Sequence, residues 1–198
     1  VNEFNRHVNT IEEMDINTYR FEMLKSIFNN GGGAARTFLD AIHGSISIQS
    51  LANGDAVLYP PVLGSESEAT ETHYLETGYA SASISDTNNP IVTAVEELAE
   101  HFGESTGGDN IVTFINPAQA QVIKALTDFD TVPDSFVRQG DNVSVPQRLP
   151  TVPGIVLGRV SGSWIVQWRW IPANYLLTVH LEAEAPLKMR IDPPAVGL

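Results

Sequence analysis

Cysteine is missing from all 198 residues, which excludes a disulfide framework, thiolate catalysis and cysteine-based zinc or iron–sulfur sites. Basic residues are scarce: 11 Lys and Arg stand against 24 Asp and Glu, a formal charge of −13. Counterion release at phosphates therefore cannot drive tight nucleic-acid binding over the whole surface, and direct DNA readout is not expected. No apolar run approaches the roughly 20 residues that span a bilayer. Val1 to Asn9 is polar and has no apolar core flanked by basic residues. A soluble protein without a membrane partner is expected. Internal repeats, low-complexity tracts and coiled-coil heptads are also lacking. What is present, 42% hydrophobic and 18% charged residues, suits one compact body or two closely joined lobes with a sizeable core. With Val in first place, the sequence reads as a fragment, or the mature part, of something longer.

Thr10 and Glu13 have capping-box spacing, and Ile11, Met14, Phe21, Leu24, Ile27 and Phe28 recur at helical intervals, which predicts a helix over 11–28. Asn29, Asn30 and Gly31 to Gly33 end it and supply a flexible joint. Alternation from Ser45 to Leu51, the turn signal Asn53-Gly54 and the run Ala56 to Tyr59 predict a hairpin, with an exposed acidic loop from Gly64 to Thr77. Asn89-Pro90 opens a helix whose stripe is Ile91, Val95, Leu98 and Phe102, closed by Gly103. The β-branched run Ile111 to Ile115 reads as a buried strand, and Asn116-Pro117 opens another helix carrying Val122, Ile123 and Leu126. Asp128 to Pro153, with four prolines, reads as an irregular connection. Strand-like segments then run Gly154 to Val160, Trp164 to Ile171, Tyr175 to Leu181 and Leu187 to Ile191, most economically an antiparallel meander.

Few residues form constellations that could carry chemistry. Gly103-Glu104-Ser105-Thr106-Gly107 has the pattern of a nucleophile elbow, but it follows a helix and precedes a strand, the reverse of the order that exposes a catalytic serine. Glu97 and His101, four apart on one helix, could converge on a metal ion, yet a zinc site needs more ligands. Asp128, Asp130 and Asp134 begin like a calcium loop, but Val132 and Pro133 occupy the next ligand position and the turn glycine, so a turn is preferred. No catalytic, cofactor-binding or metal-binding residue is assigned on this basis. If Trp164 to Ile171 is one strand, Trp164, Val166, Trp168 and Trp170 share a face. That face serves either core packing against a helix or a subunit contact.

In this order, the elements resemble the C-terminal two-thirds of tailed-phage major capsid proteins, the Hong Kong 97-like fold. Helix 11–28 looks like the long spine helix. The helix Ile91 to Phe102 and the run Ile111-Val112-Thr113-Phe114-Ile115-Asn116-Pro117 look like the centre of the axial domain. Gly154 to Val160, Ile165-Val166, Trp170 to Leu177 and Leu187-Lys188-Met189-Arg190 resemble the peripheral-domain sheet. The resemblance implies an α+β fold with a spine helix, a peripheral-domain antiparallel sheet and a mixed α/β axial domain. It divides the chain into one lobe of residues 1–44 and 151–198 and another of residues 45–150. It pairs the tryptophan strand with the first helix. The implied function is that of a structural, non-enzymatic subunit of an icosahedral shell, without cofactor or small-molecule substrate. Its partners would be copies of itself in pentamers and hexamers, enclosing DNA without sequence-specific contact, assembled in the host cytoplasm and residing in the virion. An encapsulin-like nanocompartment shell is the related alternative. A hydrolase or metal enzyme using Ser105, or Glu97 with His101, is the alternative of another class.

Overall fold

The computed structural model describes residues 2–28, 36–42, 44–48, 63–64, 74, 84–102, 110–131 and 152–183. The chain divides into two compact units, Val1–Asn53 with Glu184–Leu198, and Gly54–Ala183. The fold is α+β, a long N-terminal helix and a five-stranded mixed sheet.

In the first unit, helix α1 spans Asn2–Ile27, with Glu3 in its first turn and Lys25 in its last, each the favourable sign for the helix dipole. It begins nine residues before the expected start. Thr10 is not its cap: with the preceding turns already helical, the amides it would have capped are bonded. Its hydroxyl instead folds back to donate to the Arg6 carbonyl at 2.9 Å, as Thr18 does to Met14 at 2.8 Å and Ser26 to Glu22 at 3.0 Å. The glycine joint at 31–33 lies outside the described residues. Strands β1 (Arg36–Asp40) and β2 (Gly44–Ile48) form an antiparallel hairpin. The expected strand at 45–51 is therefore present in part as β2, but its partner precedes it. Gly44, at φ 76°, closes the turn from Asp40, a conformation in which a Cβ would be strained. The expected partner strand at 56–59 lies outside the described residues.

In the second unit, α2 (Pro90–Phe102) starts where Asn89 Oδ1 accepts the Ile91 amide at 3.1 Å. Strand β3 (Ile111–Ile115) follows, buried at every position. Asn116 Oδ1 accepts the Ala118 amide at 2.9 Å and opens one 3₁₀ turn, Pro117–Gln119, that leads into the short helix α3 (Ala120–Lys124). Strands β4 (Asp130–Thr131), β5 (Ile155–Val160), β6 (Ser163–Gln167) and β7 (Leu176–His180) complete the sheet. The order is β4-β5-β6-β3-β7, with β3 parallel to β6 and antiparallel to β7.

That order corrects two expectations. The late strands are not a separate antiparallel meander, because β3 inserts between β6 and β7. The lobe boundary at 150/151 fails with it: β3 from the proposed axial segment and β5 to β7 from the proposed peripheral segment share one sheet. A buried apolar strand must have both edges paired. The chain supplies those edges from residues 163–167 and 176–180, fifty or more positions downstream.

One face of the sheet forms the core. Ile115, Val160 and Ile165 pack with Ile91 of α2 and with Ala120, Ile123 and Leu126, and Val95, Phe129, Leu157 and Leu176 close around them. The expected α2 stripe is graded: Ile91 is fully buried, Leu98 half-buried, and Phe102 exposed but stacked on His180 with ring centroids 5.4 Å apart. A bulge between Val156 and Gly158 admits the close crossing of β4, where a Cβ on Gly158 would run into the Asp130 carbonyl and the Phe129 ring.

Candidate assembly surfaces

Of the residues singled out for chemistry, Glu97, His101, Asp128 and Asp130 are among those described. Ser105 and its glycines lie outside the described residues, as does Asp134. His101 is buried at the end of α2 and Glu97 half-buried one turn earlier. Among the described residues no three histidines or carboxylates gather around a point that could hold a metal ion. Asp128 accepts the Ser161 amide and hydroxyl at 2.8 and 2.9 Å, so it ties the α3 exit to the β5–β6 turn. Asp86 does the same for Thr127, accepting its amide at 2.8 Å and its hydroxyl at 2.7 Å. The Thr127 amide and hydroxyl hold the Asp86 carboxyl below the usual carboxylate range.

Sequence reasoning missed a row of hydroxyls across three strands. Thr113 Oγ1 lies 2.7 Å from Ser163 Oγ and 3.1 Å from Thr178 Oγ1. Register pairs Thr113 with Thr178 on β7 and with Ile165 on β6, so Ser163 lies diagonally from it, two residues along β6 on the same face, and each hydroxyl satisfies another in the buried layer. Asn116 does more than open a helical turn. Its Nδ2 also donates to the Ile171 carbonyl at 2.6 Å, fastening the loop after β6.

The tryptophans do not share one strand. β6 ends at Gln167 because both neighbours end there: Gln167 pairs with Ile115 on one side and Ile155 on the other. The chain then turns, the Ile171 amide reaching back to the Trp168 carbonyl. Trp164 is fully buried, with the Arg159 guanidinium 5.0 Å from its ring centre. Among the described residues its Nε1 has no acceptor. Trp168 is half-buried and meets Phe114 at 5.6 Å between ring centroids. Trp164 is thus buried within one copy, on the opposite side of the sheet from Ile165.

Large apolar exposure lies elsewhere. On α1, Phe4, Ile11, Met14, Ile16, Tyr19, Phe21 and Met23 are each more than half exposed, and among its residues of described burial only Leu24 is buried. The β1–β2 hairpin exposes Leu39 and Ile42 by 80% and 87%. In water such surface is costly to leave uncovered, and contiguous apolar exposure marks interaction sites. No described helix is long and apolar enough to cross a membrane.

No protein-family model matches the chain, and no curated protein sequence does. A solved structure from Mycobacterium phage Patience matches with a TM-score of 0.55 and 19% sequence identity. The match covers 91% of this chain and 49% of that one, so this chain spans about half the length of the structure it resembles. At that identity the likeness is one of fold.

Proposed function

We propose that the chain is a structural subunit of an icosahedral phage capsid that self-assembles in many copies around packaged DNA. The observation that carries this reading is the fold shared with a phage structure over 91% of the chain. The exposed apolar side chains of α1 agree with it, because a subunit that assembles by burying surface must expose that surface beforehand. Under this reading α1 is the spine helix, pentamers and hexamers form by heterologous contacts that close into rings, and no catalysis is involved. The charge of −13 keeps free subunits soluble and repels DNA from the inner wall, so DNA is enclosed without being read. The assembled form resides in the virion.

Electron microscopy of the purified full-length gene product tests the proposal. Closed shells of uniform size are the expected result. A monomer under all salt and crowding conditions would overturn it, and so would stoichiometric zinc or an esterase activity abolished by Ser105→Ala. A shell that encloses a protein instead of DNA would move the reading to the encapsulin-like alternative.

A further inference from the structure

The exposed side chains of α1 are not gathered on one side. At 100° per residue, Phe4, Ile11, Met14 and Phe21 fall on one side of the helix, and Ile16, Tyr19 and Met23 on another, with Glu13 and Asn17 outside both. From 3 to 19 every residue but Val8 is exposed, about 25 Å of helix at ~1.5 Å per residue. That stretch contains Asn5, Asn9, Thr10, Asp15, Asn17 and Thr18, weak helix formers, and a helix of this length with no packing is marginal in water.

We propose that α1 is sandwiched by copies of this chain on both sides, one copy covering Phe4, Ile11, Met14 and Phe21 and another covering Ile16, Tyr19 and Met23. The area selects this occupant. Seven side chains more than half exposed offer roughly 800 Å² in all, taking about 200 Å² for each large side chain. A standard interface takes about 800 Å² from each partner, so each side of α1 alone supplies about half of one. A dedicated dimer helix would collect this surface on one side. Divided between two sides, it forms no stable pair and becomes covered only when several copies close together. The inference rests on the shell reading and deepens it: residues 3–23 complete their folding on assembly, and stable dimers do not accumulate.

The test compares the full-length chain, dilute and assembled, with two double variants, Phe4→Asp/Ile11→Asp and Ile16→Asp/Tyr19→Asp, and with Glu13→Gln as a control outside both sides. Sedimentation velocity and amide exchange across 3–23 are the readouts. A buried carboxylate without a partner is costly, so each double variant is expected to lower the assembled fraction by about tenfold or more. Thermal unfolding of the second unit and the behaviour of Glu13→Gln should be unchanged. Exchange across 3–23 should be fast in the dilute chain and slow in the assembly. Slow exchange in a dilute monomer would overturn the proposal, and so would a double variant that assembles like the wild type, or a stable dimer broken by only one of the pairs. Shells formed by either double variant would remove this inference and leave the shell reading standing. Small wild-type oligomers broken by both pairs would remove the shell and keep the two-sided helix. A wild-type chain that is monomeric at every concentration would overturn both.

Discussion

Helices α1 and α2 carry comparable apolar side chains and use them in opposite ways. In α2, Ile91 is fully buried and Val95 lies against the core beneath it. In α1, twice as long, Ile11 and Ile16 are 59% and 55% exposed. A sheet lies under α2 and offers a complementary face, whereas the exposed apolar positions of α1 fall on two sides of the helix. Apolar periodicity therefore marks the sides of a helix that favour burial, and the rest of the chain decides which of them are covered within one copy.

Removing the most deeply buried group should test this contrast most severely. Trp164→Ala is expected to destabilise the second unit by about 3–5 kcal/mol. Trp164→Phe should cost far less, because the indole Nε1 has no acceptor to lose among the described residues. Denaturant titration of both variants checks it, and equal losses would mean that the indole N–H is bonded after all.

Next in size is Ile91→Ala, expected to cost about 2–5 kcal/mol because Ile91 joins α2 to the core between Ile115, Ile123 and Ile165. A loss near zero in thermal unfolding would show that α2 does not rest on the sheet. Gly158→Ala should follow at about 1–3 kcal/mol, since the new methyl meets the Phe129 ring and the Asp130 carbonyl, and that carbonyl belongs to the backbone of the β4–β5 pair.

The Asp86 tie should appear in the pH dependence. Its folded-state pKa is lowered by the Thr127 amide and hydroxyl, so the unfolded chain binds the proton more readily. The contribution of Asp86 is fully present above the ordinary Asp value of about 3.9 and is lost as pH falls through the lower folded value. Asp86→Asn should be less stable than the wild type at neutral pH, and the two denaturation midpoints should converge on acidification. A constant gap from neutral to acid would refute the tie. The smallest effect belongs to α1: Ile16→Ala in the dilute chain should change stability by less than about 0.5 kcal/mol, the range of ordinary surface sites. A larger loss would mean that α1 is already covered in one copy, which would erase the contrast.

Local chemistry was legible residue by residue. Asn89-Pro90 and Asn116-Pro117 announce their helical turns because an extended Asn with a free side-chain oxygen, followed by a proline with no amide to lose, suits few other structures. Ile111 to Ile115 announces a buried strand because no polar residue but Thr113 interrupts it, and Thr113 finds hydroxyls on both neighbours. Two departures from local pattern share a cause. Thr10, at capping-box spacing, lies inside a helix, and the run 164–171 leaves its strand after Gln167, because each local pattern permits either outcome. The helix already formed upstream decided the first, and the common end of β3 and β5 decided the second.

The sequence alone therefore determined the elements whose hydrogen bonds and periodicity are satisfied within a few residues: α2, β3, the turn at Asn116 and the exclusion of cysteine chemistry. Only the tertiary structure decided that β3 lies between β6 and β7, that β2 pairs backward with β1, and that Trp164 is buried within one copy while α1 leaves its apolar side chains exposed. Strand pairing joins backbone groups that every residue carries, so its choice among distant partners is set by which edges and faces remain unburied once the whole chain has packed.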